Sequence, residues 1–215
     1  MSPPHSPGER LRRAGVAFPR EAEPRLSDYL DLLLEAHREV NLVSRREASW
    51  ELLLERHVLD ALEALPLLPS PTGRPTGLLD VGSGGGFPAV PLLLARPDLR
   101  GCFVESIGKK ARFLERVVSS LGLTARVLNA RFPDPALELM RNAEPCDLLT
   151  SRAVADAGEI ARRARPVLAP GAVALLWTTE PLVDAVRRAL PGAVVSFRRS
   201  AFAPTRGIAR VERFT

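Results

Sequence analysis

Lysine is nearly missing from this chain. Of its 30 Lys and Arg residues only Lys109 and Lys110 are lysine, and the remainder are arginine. Histidine (three) and cysteine (Cys102 and Cys146) are scarce and far apart, so no metal-ligand spacing exists and none is expected to matter. Two isolated cysteines in apolar surroundings read as reduced, buried core residues rather than a disulfide. No apolar run reaches the roughly 18 residues that a membrane span needs. Met1 to His5 starts no basic block followed by an apolar one, so no secretory leader is expected and the cytoplasm is the expected compartment.

What is present fits a globule with a real core. The 215 residues are 46% hydrophobic and 26% charged, enough for one substantial domain with a small accessory segment. The net charge of +5 is carried by arginine, the side chain suited to bidentate phosphate contacts and to stacking on bases. A GC-rich genome would produce the same bias, so the charge permits a nucleic-acid partner without requiring one. No internal repeat is visible.

The organising stretch is Leu78-Leu79-Asp80-Val81-Gly82-Ser83-Gly84-Gly85-Gly86-Phe87-Pro88. It reads as a short strand, a glycine-dense turn, and a helix opening on Pro88 and running from Ala89 to about Arg96. Such a unit presents a nucleotide-like ligand to backbone amides. Before it, residues 1–25 read as a Pro- and Arg-rich tail, followed by helices over Leu26–Leu34 and Trp50–Leu65. A linker then carries Pro66, Pro69, Pro71, Gly73, Pro75 and Gly77. Residues 1–75 are therefore expected to form a helical segment packed on a core of residues 76–215.

After the turn, strands at 101–104, 125–128, 148–150 and 172–177 alternate with helices at 109–121, 135–142, 157–168 and 180–190. Ser106 is placed to cap the first of these helices, and Gly122 to stop it. The alternation then breaks into two strands, 194–198 and 208–214, with no helix between. The expected fold is α/β and Rossmann-like: a mostly parallel seven-stranded sheet whose last strand is antiparallel, covered on both faces.

Which cofactor the turn holds is argued from its flanks. A dinucleotide fingerprint starting at Gly82 fails at its sixth position, Phe87, and the shifted match ending at Ala89 is weak. Asp80, two residues before the first glycine, would repel a pyrophosphate and welcome a cationic, phosphate-free cofactor. S-adenosylmethionine (SAM) is such a cofactor. Glu105, ending the next strand, stands where a carboxylate can accept from both ribose hydroxyls. Its competing reading is a helix-N-terminal acid favoured by the dipole.

Several runs then carry a resemblance: Asp80 to Pro88, Ser106-Ile107-Gly108-Lys109-Lys110-Ala111-Arg112-Phe113-Leu114, Asn41-Leu42, Arg56-His57-Val58-Leu59-Asp60 and Ser151-Arg152-Ala153. Asp80 to Pro88 is similar to motif I of class I SAM-dependent methyltransferases. Together the runs resemble the bacterial glucose-inhibited division protein B family, the guanine-N7 methyltransferases of small-subunit (16S) ribosomal RNA. The resemblance spans about Leu26 to Trp177. It implies SAM contacts from Asp80, Gly82, Ser83, Gly84, Gly86, Phe87, Glu105, Ala130, Arg131 and Arg152, with Phe132 and Pro133 bordering the adenine. It also implies a substrate-positioning Arg152. Lys109, Lys110, Arg112, Arg45 and Arg46 are the candidates for RNA contact, while His57 and Asn41 read as structural ties between the N-terminal helices and the core. Three positions depart from the family pattern: Pro133 replaces an acid, Trp177-Thr178 replaces Lys-Gly, and Ala61 replaces a serine.

The chemistry suits those residues. Guanine N7 has a free lone pair and loses no proton, so no general base is required and orientation carries the rate. Exocyclic-amine methylation would need an Asx/Ser-Pro-Pro-aromatic turn where Ser151-Arg152-Ala153 stands. Pyrimidine C5 methylation would need a nucleophilic cysteine at the site, and Cys146 precedes its strand. Alternatives are another RNA target, a non-enzymatic RNA-binding module, and an NAD-linked oxidoreductase. The last would need a catalytic tyrosine, and Tyr29, the one tyrosine, lies outside the sheet. A monomer is expected.

Overall fold

A computed structural model describes residues 6–152 and 156–214. Seven strands form one sheet in the order β3-β2-β1-β4-β5-β7-β6. They are β1 Thr76–Val81, β2 Leu99–Glu105, β3 Ala125–Asn129, β4 Cys146–Arg152, β5 Leu168–Thr178, β6 Val194–Arg199 and β7 Gly207–Glu212. β1 to β5 pair in parallel, and β7 runs antiparallel to both of its neighbours, as the helix-free last connection implies.

Alternate residues of each strand feed two separate cores, because successive side chains point to opposite faces. Leu78, Phe103, Leu148 and Leu175 face one core. Leu79, Cys102, Leu149 and Ala174 face the other. The helices are α1 Pro7–Arg13, α2 Glu23–His37, α3 Trp50–Leu53, α4 Leu59–Leu62, α5 Ala89–Ala95, α6 Gly108–Ser120, α7 Ala136–Met140, α8 Ala157–Ala164 and α9 Val183–Ala189. The first core takes α1 to α6, so the N-terminal helices share one apolar cluster with α5, α6 and the sheet. The second core takes α7, α8 and α9. Among the described residues no helix is long and apolar enough to cross a membrane.

Some local expectations shift. The Pro- and Arg-rich start contains α1, capped by Ser6 and anchored by the fully buried Leu11; residues 1–5 lie outside the description. Trp50 to Leu62 is one helix interrupted by a π-helical turn over Leu54–Val58, which displaces the side chains that follow by part of a turn. Pro88 sits one residue before α5, as its N-cap, and not at its first position. Gly77 belongs to β1 and not to the linker. Ser106 does not cap α6. Ile107 is the N-cap residue, and its N–H donates to Oε1 of Glu105 (2.8 Å). Both Leu168 and Thr178 extend β5 beyond its apolar centre.

Candidate active site

β1 has β2 on one side and β4 on the other, so the strand order reverses at β1, and the crevice above its carboxyl end is where doubly wound sheets bind ligands. A cleft of about 440 Å³ opens there, floored by Gly82 to Gly85 and Phe87 and walled by Glu105, Arg152, His57 and Glu47. The turn is shaped by close approach. Gly86 has φ +96°, and a Cβ on it would lie 2.8 Å from Val90 and 3.0 Å from the Tyr29 hydroxyl. Tyr29, delivered by α2 and fully buried, donates to the Gly85 carbonyl (2.6 Å) and meets the Phe87 ring edge-on. The N-terminal helices thus hold the turn from beneath.

Glu105 bolts three strand ends together. Its Oε2 accepts the Gly84 N–H and its Oε1 the Ile107 N–H, both at 2.8 Å. Its carbonyl accepts from Nδ2 of Asn129, the last residue of β3, and from the N–H of Ala130 just after it. Each carboxylate oxygen retains lone-pair capacity for a ligand hydroxyl. The carboxylate thus takes the helix-entry role, through the Ile107 N–H, and keeps lone pairs facing the cleft.

Asp80 lies under the turn, almost completely buried. Thr150, its register partner on β4, donates to Oδ1 (2.6 Å), while Oδ2 has no hydrogen-bond partner among the described residues. Burial pushes its pKa up to about 7, with the Thr150 bond opposing the shift. A buried carboxylate oxygen without a partner is costly unless a cation or donor arrives.

Arg152, ending β4, is buried among N-terminal residues. Its Nη1 lies 3.4 Å from Asp60 Oδ2, its Nη2 3.0 Å from His57 Nδ1, and its guanidinium 5.8 Å from the Phe87 ring centre. His57 in turn reaches Glu47 Oε2 through Nε2 (3.2 Å) and stacks near Phe87. Burial, and then the Arg152 charge, bring the His57 pKa down to about 4. Asp60 also accepts from Ser200 Oγ, and its carbonyl accepts from Trp177 Nε1 (3.2 Å).

The comparisons with known proteins agree with this geometry. Residues 22–188 match the family described as rRNA small subunit methyltransferase G. The chain belongs to this family. A ribosomal RNA small subunit methyltransferase G from Acidiphilium cryptum is 38% identical over 167 residues, covering 78% of this chain and 73% of the relative. Its counterpart from Myxococcus xanthus is 36% identical over 176 residues, covering 81% and 77%. Among solved structures, the O-methyltransferase TomG from Streptomyces achromogenes, in complex with SAM, superposes with a TM-score of 0.61 at 19% identity, over 93% of this chain and 92% of that one. The T. thermophilus 16S rRNA N2 G1207 methyltransferase, with AdoMet and guanosine, gives 0.55 at 20% identity, over 73% and 42%. At such identities these neighbours report the fold alone. Family membership makes the chain a SAM-dependent methyltransferase and removes the oxidoreductase alternative; Tyr29 is a structural clamp.

Within the family frame, the cleft brings together Gly82, Ser83, Gly84, Phe87, Glu105, Arg152 and Lys110. Asp80 and Gly86 lie behind this lining as its buried support. The residues after β3 are not brought to the cleft. Ala130 is buried and bonded to Glu105, Arg131 is exposed, and Phe132 packs on the second core. Pro133, which stands where the family has an acid, lines another concavity, with Arg162 and Arg163 of α8. Lys109, Arg112, Arg45 and Arg46 are exposed, and Ala153 lies outside the described residues. Trp177 and Thr178 are buried in β5, where the indole ties α4 to the sheet instead of reaching the cleft. Ala61 is fully buried in α4. Asn41 is exposed, and its neighbour Leu42 makes the tie by packing over Gly85. Sequence reasoning missed Glu47 and Arg206 as cleft residues. Neither sits in a recognisable motif, and both arrive from distant loops.

Proposed function

We propose that this protein transfers a methyl group from SAM to N7 of a guanine in the 16S ribosomal RNA of the small subunit, acting in the cytoplasm as a monomer. The observation that carries this reading is the pair of carboxylates flanking the glycine turn: Glu105, anchored by two N–H groups, and Asp80, with one unpartnered oxygen. The donor set suits SAM, which has ribose hydroxyls, an ammonium and a sulfonium but no phosphate. When bound, SAM supplies an electrophilic methyl group.

The chain's own residues orient and neutralise. Glu105 holds ribose hydroxyls, Asp80 balances the positive charge beneath the turn, and Phe87 presents a ring face at the cleft wall. Arg152 and Lys110 supply donors toward the guanine and its phosphates, and Arg206 adds a third cation at the rim. His57 is spent as a proton carrier, since both ring nitrogens are engaged and its pKa is low. A nucleophile without a proton to lose needs no base, so no proton transfer is asked of the cleft's residues.

The experiment is labelled-methyl transfer from SAM to 16S ribosomal RNA from unmodified small subunits, with the modified nucleoside identified by mass. The expected product is 7-methylguanosine. Any other methylated nucleoside would overturn the target assignment.

A further inference from the structure

A second concavity, of about 360 Å³, is lined in part by residues of the same two chain segments that line the cleft. In the π-helical turn, Arg56 lines the second concavity and its neighbour His57 lines the cleft. In the 200–206 loop, Phe202 lines the second and Arg206 the cleft. That loop is held at its base, with the Ser200 N–H donating to the Arg206 carbonyl (3.0 Å) and Ser200 accepting from two following N–H groups. The concavity's apolar surface is Leu59 and the half-buried Phe202. Its rim carries Arg10 and Arg13 from α1 along with Arg56, against one acid, Glu55.

We propose that this concavity binds a nucleotide of the single-stranded RNA substrate flanking the target guanine. This rests on the reading given under Proposed function. An aromatic face beside three guanidinium groups is the combination that receives a base and its phosphates. The volume falls in the range of pockets that hold ligands of nucleotide size. The rim arginines have acid partners: Arg10 pairs with Glu55, Arg13 with Glu9 and Arg56 with Glu47 (3.6 Å). These pairs are solvent-exposed and hold the arginines weakly, so a phosphate can replace the carboxylates. The two segments that contribute to both concavities, Arg56–His57 and Phe202–Arg206, supply the register: a strand whose guanine enters the cleft passes Arg56 and Arg206 and places its neighbour against Phe202.

Two variants test this: Phe202→Leu, which keeps an apolar side chain, and Arg13→Gln with Arg56→Gln combined in one protein, which keep length and polarity. The readouts are KM for 16S ribosomal RNA in methyl transfer, its salt dependence, SAM affinity by calorimetry and thermal unfolding. Phe202→Leu is expected to raise KM for RNA roughly 5- to 100-fold, the effect of losing one base stack. The double arginine variant is expected to flatten the log–log salt slope by about 0.7 per lost phosphate contact. SAM affinity and unfolding should stay as in the parent. Unchanged KM and salt slope would overturn the proposal. Should the parent protein methylate no ribosomal RNA, the functional reading falls, and the concavity is still judged by photo-crosslinking. The intact protein with a 4-thiouridine-containing single-stranded RNA is expected to yield a crosslinked peptide containing Phe202 or Arg56. Crosslinks confined to other surfaces would overturn it. The same crosslinking decides the matter if Phe202→Leu does not fold.

Discussion

The guanidinium Nη2 of Arg152 lies 3.0 Å from Nδ1 of His57, and this single contact fixes the state of the imidazole. A guanidinium has only donors, so Nδ1 must accept, the ring proton resides on Nε2, and Nε2–H donates to Glu47. The ring is therefore neutral and serves as a rigid spacer between the half-buried Glu47 and the buried arginine.

Replacing His57 by Ala leaves a buried Arg152 donor without its acceptor, at a cost of about 1–3 kcal/mol. Expressed at the transition state, that is a loss of roughly 5- to 150-fold in single-turnover methyl transfer. His57→Gln, whose amide oxygen can accept, should recover part of it. Equal rates for His57→Ala and the parent would show that Arg152 needs no such support. At saturating SAM, which holds Asp80 ionised, the parent's single-turnover rate should also carry no His57 titration near 6.5, since the folded His57 pKa is about 4.

Asp80 predicts a pH dependence of opposite origin. Its folded pKa is raised to about 7 from 3.8, so the folded protein binds more protons than the unfolded chain between those values. Its contribution to stability is full below 3.8 and is lost as pH rises through 7. His57, with its lowered pKa, contributes in the reverse sense, its share being full above 6.5 and lost as pH falls toward 4. A cationic cofactor favours ionised Asp80, so SAM should bind more tightly as pH rises. Between pH 6 and 8 the gain is about tenfold for one group titrating at 7. Calorimetric SAM titrations across this range should show the rise in the parent and a flat profile in Asp80→Asn.

Much of this site was legible because its signals are local. The glycine turn, Asp80 two residues before it and Glu105 at the end of the next strand are set by strand-end position, which the alternation of apolar runs gives away. The antiparallel last strand was legible for the same reason, since no helix separates 194–199 from 207–212. Glu47, Arg206 and the cleft-side role of His57 were not, because each depends on a contact spanning a distant part of the chain. Ser106 does not cap because the helix begins one residue later than such a cap requires, with Ile107 as its N-cap and that residue's N–H held by Glu105. The residues after β3 follow the expected chain order, with Phe132 packed against the second core.

Tyr29 links the N-terminal helices to the cofactor turn through one hydrogen bond of 2.6 Å to the Gly85 carbonyl. Tyr29→Phe keeps the ring against Phe87 and removes only the donor, stranding a buried carbonyl. Unfolding in denaturant should show a loss of about 1–3 kcal/mol. If the clamp shapes the turn, SAM affinity should fall in the same variant, while a stability change with unaltered SAM affinity would assign Tyr29 to packing alone.

Two glycines separate backbone strain from close packing. Gly122, just past α6, has φ +56° and nothing within 4 Å of a built Cβ, so Gly122→Ala meets only the left-handed penalty of about 1–2 kcal/mol. Gly86→Ala meets strain at φ +96° and also drives a methyl to 2.8 Å from Val90 and 3.0 Å from the Tyr29 hydroxyl. Strain and overpacking together should cost about 2–5 kcal/mol. The second variant should also weaken SAM binding, because relieving both contacts moves Val90 together with Tyr29 or the turn it holds. Comparable unfolding free energies for the two variants, with SAM binding intact in both, would mean that the turn yields freely and that the clamp beneath it does not shape the cleft.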